Sequence, residues 1–229
     1  MARIISTIFA SLMLVAGAAE ARQSLNELGQ ANQGKKIAVV SISANNFGNS
    51  LQGWNSADTK DLMAGRLNQM LDHTEQLLSK DWTVVKAATF AEKPDYQALA
   101  GEQRDVGLPK FGNSSMPLLS KDRKQLVKAA IDKDVAGKLA KVTGADYVLI
   151  IYSEWAVATG KFVPTSKALT KNVVSLFDAN GKQVYNDRKD VVGERTLGGM
   201  GKVFVDAKSI DQWVDSYKEG INTLYGGGK

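Results

Sequence analysis

The chain has no cysteine and a single histidine, and these two shortages remove much catalytic chemistry before any motif is weighed. Without cysteine there is no disulfide framework, no thiolate nucleophile and no sulfur ligand set for a metal. The acylated cysteine of a bacterial lipoprotein is excluded by the same absence. His73 alone cannot form a histidine metal cluster, and a serine triad would have to run through it with no G-x-S-x-G elbow to supply the nucleophile. Charge of one sign is not concentrated anywhere. The 29 basic and 24 acidic residues are interspersed, and the net charge of +5 reads as a solvated surface rather than a nucleic-acid face. Peripheral attraction to an anionic outer membrane stays compatible with it.

The apolar run from Ile4 to Val15 is about a dozen residues, where a membrane-spanning helix needs about 20. Arg3 precedes the run, and Ala19-Glu20-Ala21, an A-x-A site, follows it. Residues 1–21 therefore read as a secretory signal peptide, which places the mature chain in the periplasm with no transmembrane segment after cleavage. Residues 22–34 are polar and amide-rich and read as a flexible tether. What remains, 35–229, is long enough to bury a core by packing alone and is expected as one α/β domain.

Ile37–Ser43 predicts a buried strand, and Ser56 predicts an N-cap for a long amphipathic helix carrying Leu62, Met63, Leu67, Met70, Leu71, Leu77 and Leu78. Trp82–Ala88 predicts a second strand. Prolines and glycines punctuate 89–119, which reads as a long insertion loop with one short helix near Asp95–Ala100. Ser120 opens a second long helix that Gly144 closes, and the apolar segment Ala145–Ala158 follows as a central strand. Strands over Lys171–Asp178 and Lys182–Val192 flank Asn180-Gly181, a hairpin signal that sets Phe177 opposite Val184 and Leu176 opposite Tyr185. A last helix spans Asp206–Leu224. The order β-α-β-α-β-β-β-α predicts helices packed on a mixed sheet.

The segment Leu-Ala-Lys-Val-Thr-Gly-Ala-Asp-Tyr-Val-Leu-Ile at 139–150 runs from a helix end through Gly-Ala-Asp into a buried strand. In that motif and in element order the chain resembles an envelope superfamily. It includes the curli secretion channel subunit, the outer-membrane activators of penicillin-binding proteins and the amino-terminal domain of the Tol-Pal β-propeller protein TolB. The resemblance implies binding to, or assembly with, envelope proteins.

Motifs for chemistry fail in detail. Gly198-Gly199-Met200-Gly201-Lys202 echoes a phosphate loop, but Thr196 stands where a glycine is needed and Val203 where a serine or threonine is needed. Asp178-Ala179-Asn180-Gly181 echoes a calcium loop, but Lys182 occupies its fifth position. Glu154, Asp187, Asp190 and Glu194 could serve an exported cell-wall hydrolase, yet nothing in their spacing pairs them. No catalytic, cofactor or metal residue is assigned. The loop after the first strand offers Asn45, Asn46, Phe47, Asn49 and Trp54 as a partner surface, and the insertion offers Phe111, with Met116 a further exposed candidate. The expected function is a non-enzymatic envelope interaction module. A structural subunit of an envelope ring or channel collar and a carboxylate-dependent hydrolase are the alternatives.

Overall fold

A computed structural model describes residues 23–101, 106–120, 122–160, 165–199 and 203–227; residues 1–21, expected as a signal peptide, lie outside these. Its helices are α1 (Leu25–Ala31), α2 (Ala57–Leu78), α3 (Pro94–Gln97), α4 (Arg123–Leu126), α5 (Lys133–Thr143) and α6 (Ile210–Gly226). The long strands are β1 (Lys36–Asn46), β7 (Tyr147–Thr159), β8 (Thr165–Asp178) and β9 (Gln183–Gly199). Short strands complete the set: β2 (Leu51–Gln52), β3 (Thr83–Val84), β4 (Val106–Gly107), β5 (Lys110–Phe111), β6 (Ser114–Ser115) and β10 (Val203–Phe204). The main sheet runs β3-β1-β7-β8-β9, with β4 also pairing β1. Pairing is parallel from β3 to β7 and antiparallel from β7 to β9, so the apolar strand expected at 145–158 does lie mid-sheet.

Sequence explains the helical layer directly. The Ser56 hydroxyl accepts from the Thr59 amide at 3.2 Å, capping α2, and Met63, Leu67, Met70 and Leu71 bury one stripe of that helix. Trp213, Tyr217, Ile221 and Leu224 do the same for α6. The Gly-Ala-Asp turn is a joint. Gly144 ends α5 at φ +70°, and the Asp146 carboxylate accepts from the Lys36 amide at 2.8 Å, tying the end of α5 to the start of β1.

Several expectations need correction. Where a flexible tether is expected over 22–34, a helix forms and docks. Leu25 is buried, its carbonyl accepts from Trp82 Nε1 at 3.1 Å, and the Ser24 amide donates to Glu27 at 2.8 Å. That last bond belongs to a Ser-x-x-Glu capping box. Ser24 and Gly227, near the two limits of the described residues, meet there, since a Cβ placed on Gly227 would come within 2.9 Å of Ser24 Cβ. The single helix expected from Ser120 is two. The Lys128 carbonyl, which a continuous helix would use internally, accepts from Ser175 Oγ and Asn186 Nδ2 instead, and Asp132 restarts the helix as the N-cap of α5.

The described residues of 89–119 are built into the fold rather than looped out. Tyr96 donates to the Val40 carbonyl at 2.5 Å, Ser41 donates to the Pro117 carbonyl at 2.8 Å, and Met116, expected exposed, is fully buried. The strand expected over 82–88 shrinks to β3 because a 3-10 turn, Ala87–Thr89, follows it. In the β8–β9 hairpin Leu176 does face Tyr185, but Phe177 faces Gln183. Asp178 Oδ1 accepts from the amides of both Asn180 and Lys182, and Gly181 sits at φ +76°, so the turn is wider than two residues. The displaced register leaves Val184 38% exposed.

Candidate partner-binding face

Strand register assembles the site. Across four strands Asn45 faces Glu154, Glu154 faces Lys171, and Lys171 faces Asp190. Side chains alternate between faces with period two, so the next pairs along on the same face are Ala156 with Leu169 and Leu169 with Val192. Phe47, directly after β1, comes down on this face, with Lys171 Nζ 3.7 Å from its ring centroid. A charged row thus borders an apolar one. Phe47 is 40% exposed and Val192 50%, while Leu169 between them is half-buried.

One row further toward the covered part of the face lie Ser43, Tyr152, Val173 and Arg188. The Tyr152 hydroxyl donates to Glu154 Oε1 at 3.3 Å and accepts from Asn45 Nδ2 at 3.2 Å. Burial pushes the Tyr152 hydroxyl up to about 12, and the Glu154 charge adds to the rise. Arg188 grips Asp190 through two bonds of 2.7 and 2.8 Å, which raises the guanidinium further. Glu154 is buried, and its near neighbours on the sheet are the Tyr152 hydroxyl and Lys171.

The residues singled out from sequence have different fates. Asn45 faces the site. Asn46 is structural: its side chain donates to the Leu51 carbonyl at 3.0 Å and accepts from the Leu51 amide at 3.1 Å, closing the turn that presents Phe47. Asn49 belongs to that turn, and its side chain lies outside what is described. Trp54 is only 6% exposed and meets Trp155 edge-on at 5.8 Å, while Trp155 stacks on Trp213 at 6.0 Å; it anchors the loop to the core. Phe111 is half-buried on the β5–β6 hairpin, which Asn68 ties to α2 through both backbone groups of Lys110 rather than to the face that carries Phe47.

Sequence reasoning does not single out Leu169, Lys171 and Val192 as site residues, because Leu169 precedes the strand expected from Lys171 and only the β8–β9 register sets it opposite Val192. Extending the alternation back to Thr165 would have placed Leu169 on the face of Lys171. Of the acids considered for hydrolysis, Glu154 and Asp190 share a row, but Lys171 stands between them and Arg188 holds Asp190. Glu194 lies elsewhere, in a cleft with Gln212 and Asp215 of α6. His73 is a boundary residue whose Nε2 pairs with Asn222 Oδ1 at 3.0 Å. Residues 200–202 of the glycine-rich stretch lie outside the described residues.

No protein-family model matches the chain, and no curated protein matches it. Among solved structures it is similar to lipoprotein GNA1162 from Neisseria meningitidis at 13% identity, covering 83% of this chain and 97% of that one, with a TM-score of 0.39. It is similar to the LpoB C-terminal domain from Salmonella enterica at 16% identity, covering 75% and 98%, with a TM-score of 0.33. The hypothetical protein CT253 from Chlamydia trachomatis is similar at 12% identity over 85% and 92%, with a TM-score of 0.37. Likenesses this distant transfer no partner or activity.

Proposed function

We propose that the mature chain is a non-enzymatic protein-interaction module of the bacterial cell envelope, exported to the periplasm and binding other envelope proteins through the sheet face that carries Phe47. The observation that supports this is the apolar row of Phe47, Leu169 and Val192, exposed at both ends and bordered by Asn45, Glu154, Lys171 and Asp190. An apolar centre with a polar rim is the anatomy of a protein interface. Phe47 is the anchor; the charged row sets register and excludes mismatched partners.

A photo-crosslinking residue at Phe47 in the exported full chain tests the reading. Discrete protein adducts are expected from envelope extracts, diminished by Leu169→Asp and not formed from the exposed α5 position Lys141. A pattern identical at positions 47 and 141 would sink the proposal. With an identified partner, Phe47→Ala is expected to weaken binding roughly tenfold, the cost of losing one modest hot spot.

A further inference from the structure

We propose that the outer edge of β9 pairs antiparallel with the same edge of a second copy of this chain, about a two-fold axis through Arg188. β9 is the last strand of the sheet, 17 residues long, and among the described residues no strand pairs with its far side. Such an edge is a template for strand addition; at its centre the Arg188 amide donates to Asp187 Oδ1 at 2.8 Å, a bond that the pairing exchanges for a ladder bond. Two of the four exposed large hydrophobic side chains among the described residues, Val184 and Val192, lie on it.

The order of side chains selects a copy of itself as occupant. With the axis at Arg188, Val184 faces Val192 of the second copy, Asn186 faces Asp190, and Asp187 faces Lys189, each pair formed twice. Aligning equivalent faces of the two sheets permits only register shifts that move the axis by whole residues, because a slip that breaks the period of two turns one sheet over. Moving the axis to Asp187 sets two aspartates against each other. Moving it to Lys189 sets lysine on lysine and places Val184 against Glu194. At Arg188 the groups that meet are two ion pairs rather than two bare cations, since each guanidinium is already gripped by its own Asp190 at 2.7 and 2.8 Å. The strand keeps unbroken register with β8 from Tyr185 to Val192, and Val184 stands at the register shift just before that stretch. The edge shares Val192 and Asp190 with the face proposed for envelope partners, while Phe47, Leu169 and Lys171 of that face lie off it.

The lack of cysteine gives the experiment a blank background. Arg188→Cys lies on the axis, so two copies bring the same residue within disulfide reach. Mild oxidation of the mature chain is expected to yield a linked dimer, formed much faster than from Lys141→Cys. Val184→Cys combined with Val192→Cys reports the same register without disturbing the arginine. Light scattering during size exclusion is expected to show twice the chain mass at high micromolar concentration, reverting to one chain mass when Val184→Glu is combined with Val192→Glu. A single-chain mass at all concentrations with slow linking of both cysteine variants overturns the proposal, and so does an oligomer that survives the double glutamate change. Crosslinking at Phe47 reads the β1 side of the sheet, three strands from this edge, and Arg188→Cys leaves Val192 and Asp190 intact, so either result leaves the other interpretable.

Discussion

Phe47 and Trp54 leave β1 in one loop and do opposite work. Trp54 fills space against Trp155, so Trp54→Ala is expected to cost about 3–5 kcal/mol of stability, the range for emptying a buried aromatic site. Phe47→Ala should cost only about 0.5–1 kcal/mol, the worth of an exposed cation–π contact with Lys171. Urea titration of both variants separates anchor from surface residue. Asp146 offers a second test. The Lys36 amide holds its carboxyl below the ordinary aspartate value, so its contribution is present above about pH 4. It is lost as pH falls through the folded value. Because the group is mostly exposed, Asp146→Asn should cost no more than about 1 kcal/mol at pH 7, and it should flatten the acid limb of stability against pH between 5 and 3.

Among the elements, α1 carries the clearest prediction. Deleting residues 23–32 removes the buried Leu25, the Trp82–Leu25 bond and the Tyr147–Asn32 bond of 2.9 Å. Thermal unfolding should show a loss of about 2–4 kcal/mol, where removal of a true tether would cost nothing. Gly144→Ala, at φ +70°, should cost about 1 kcal/mol by straining the end of α5. The elements with strong periodicity, α2, α6 and β7, were legible because their burial is one-sided or complete over many residues. The helix α1 was not, although Ser24 and Glu27 stand at capping-box spacing, because a seven-residue helix with two leucines is held by what it docks on. The break after Lys128 is likewise decided by distant Ser175 and Asn186. The candidate face was half legible: Phe47 and Asn45 stood out in a loop, whereas Leu169 and Val192 become neighbours only through strand register.

For the molecule as a whole, α2 and α6 form one layer over the sheet, and the Thr74–Tyr217 bond at 2.9 Å and the His73–Asn222 bond join them. Burial lowers the His73 imidazole below its ordinary value, with Lys218 and Lys80 nearby acting in the same direction. The unfolded chain therefore takes up the proton first, and stability is full above about pH 6.5 and falls as pH drops below it. Melting temperature should decline from pH 7.5 to 5.5, and His73→Gln should remove part of that slope. The approach of Ser24 to Gly227 brings the two limits of the described fold together, so the domain's backbone path nearly closes on itself. A short linker joining these two limits, with new ends cut between Ala179 and Asn180, should give a circular permutant that still folds, because both residues at the cut are exposed and the join spans almost no distance.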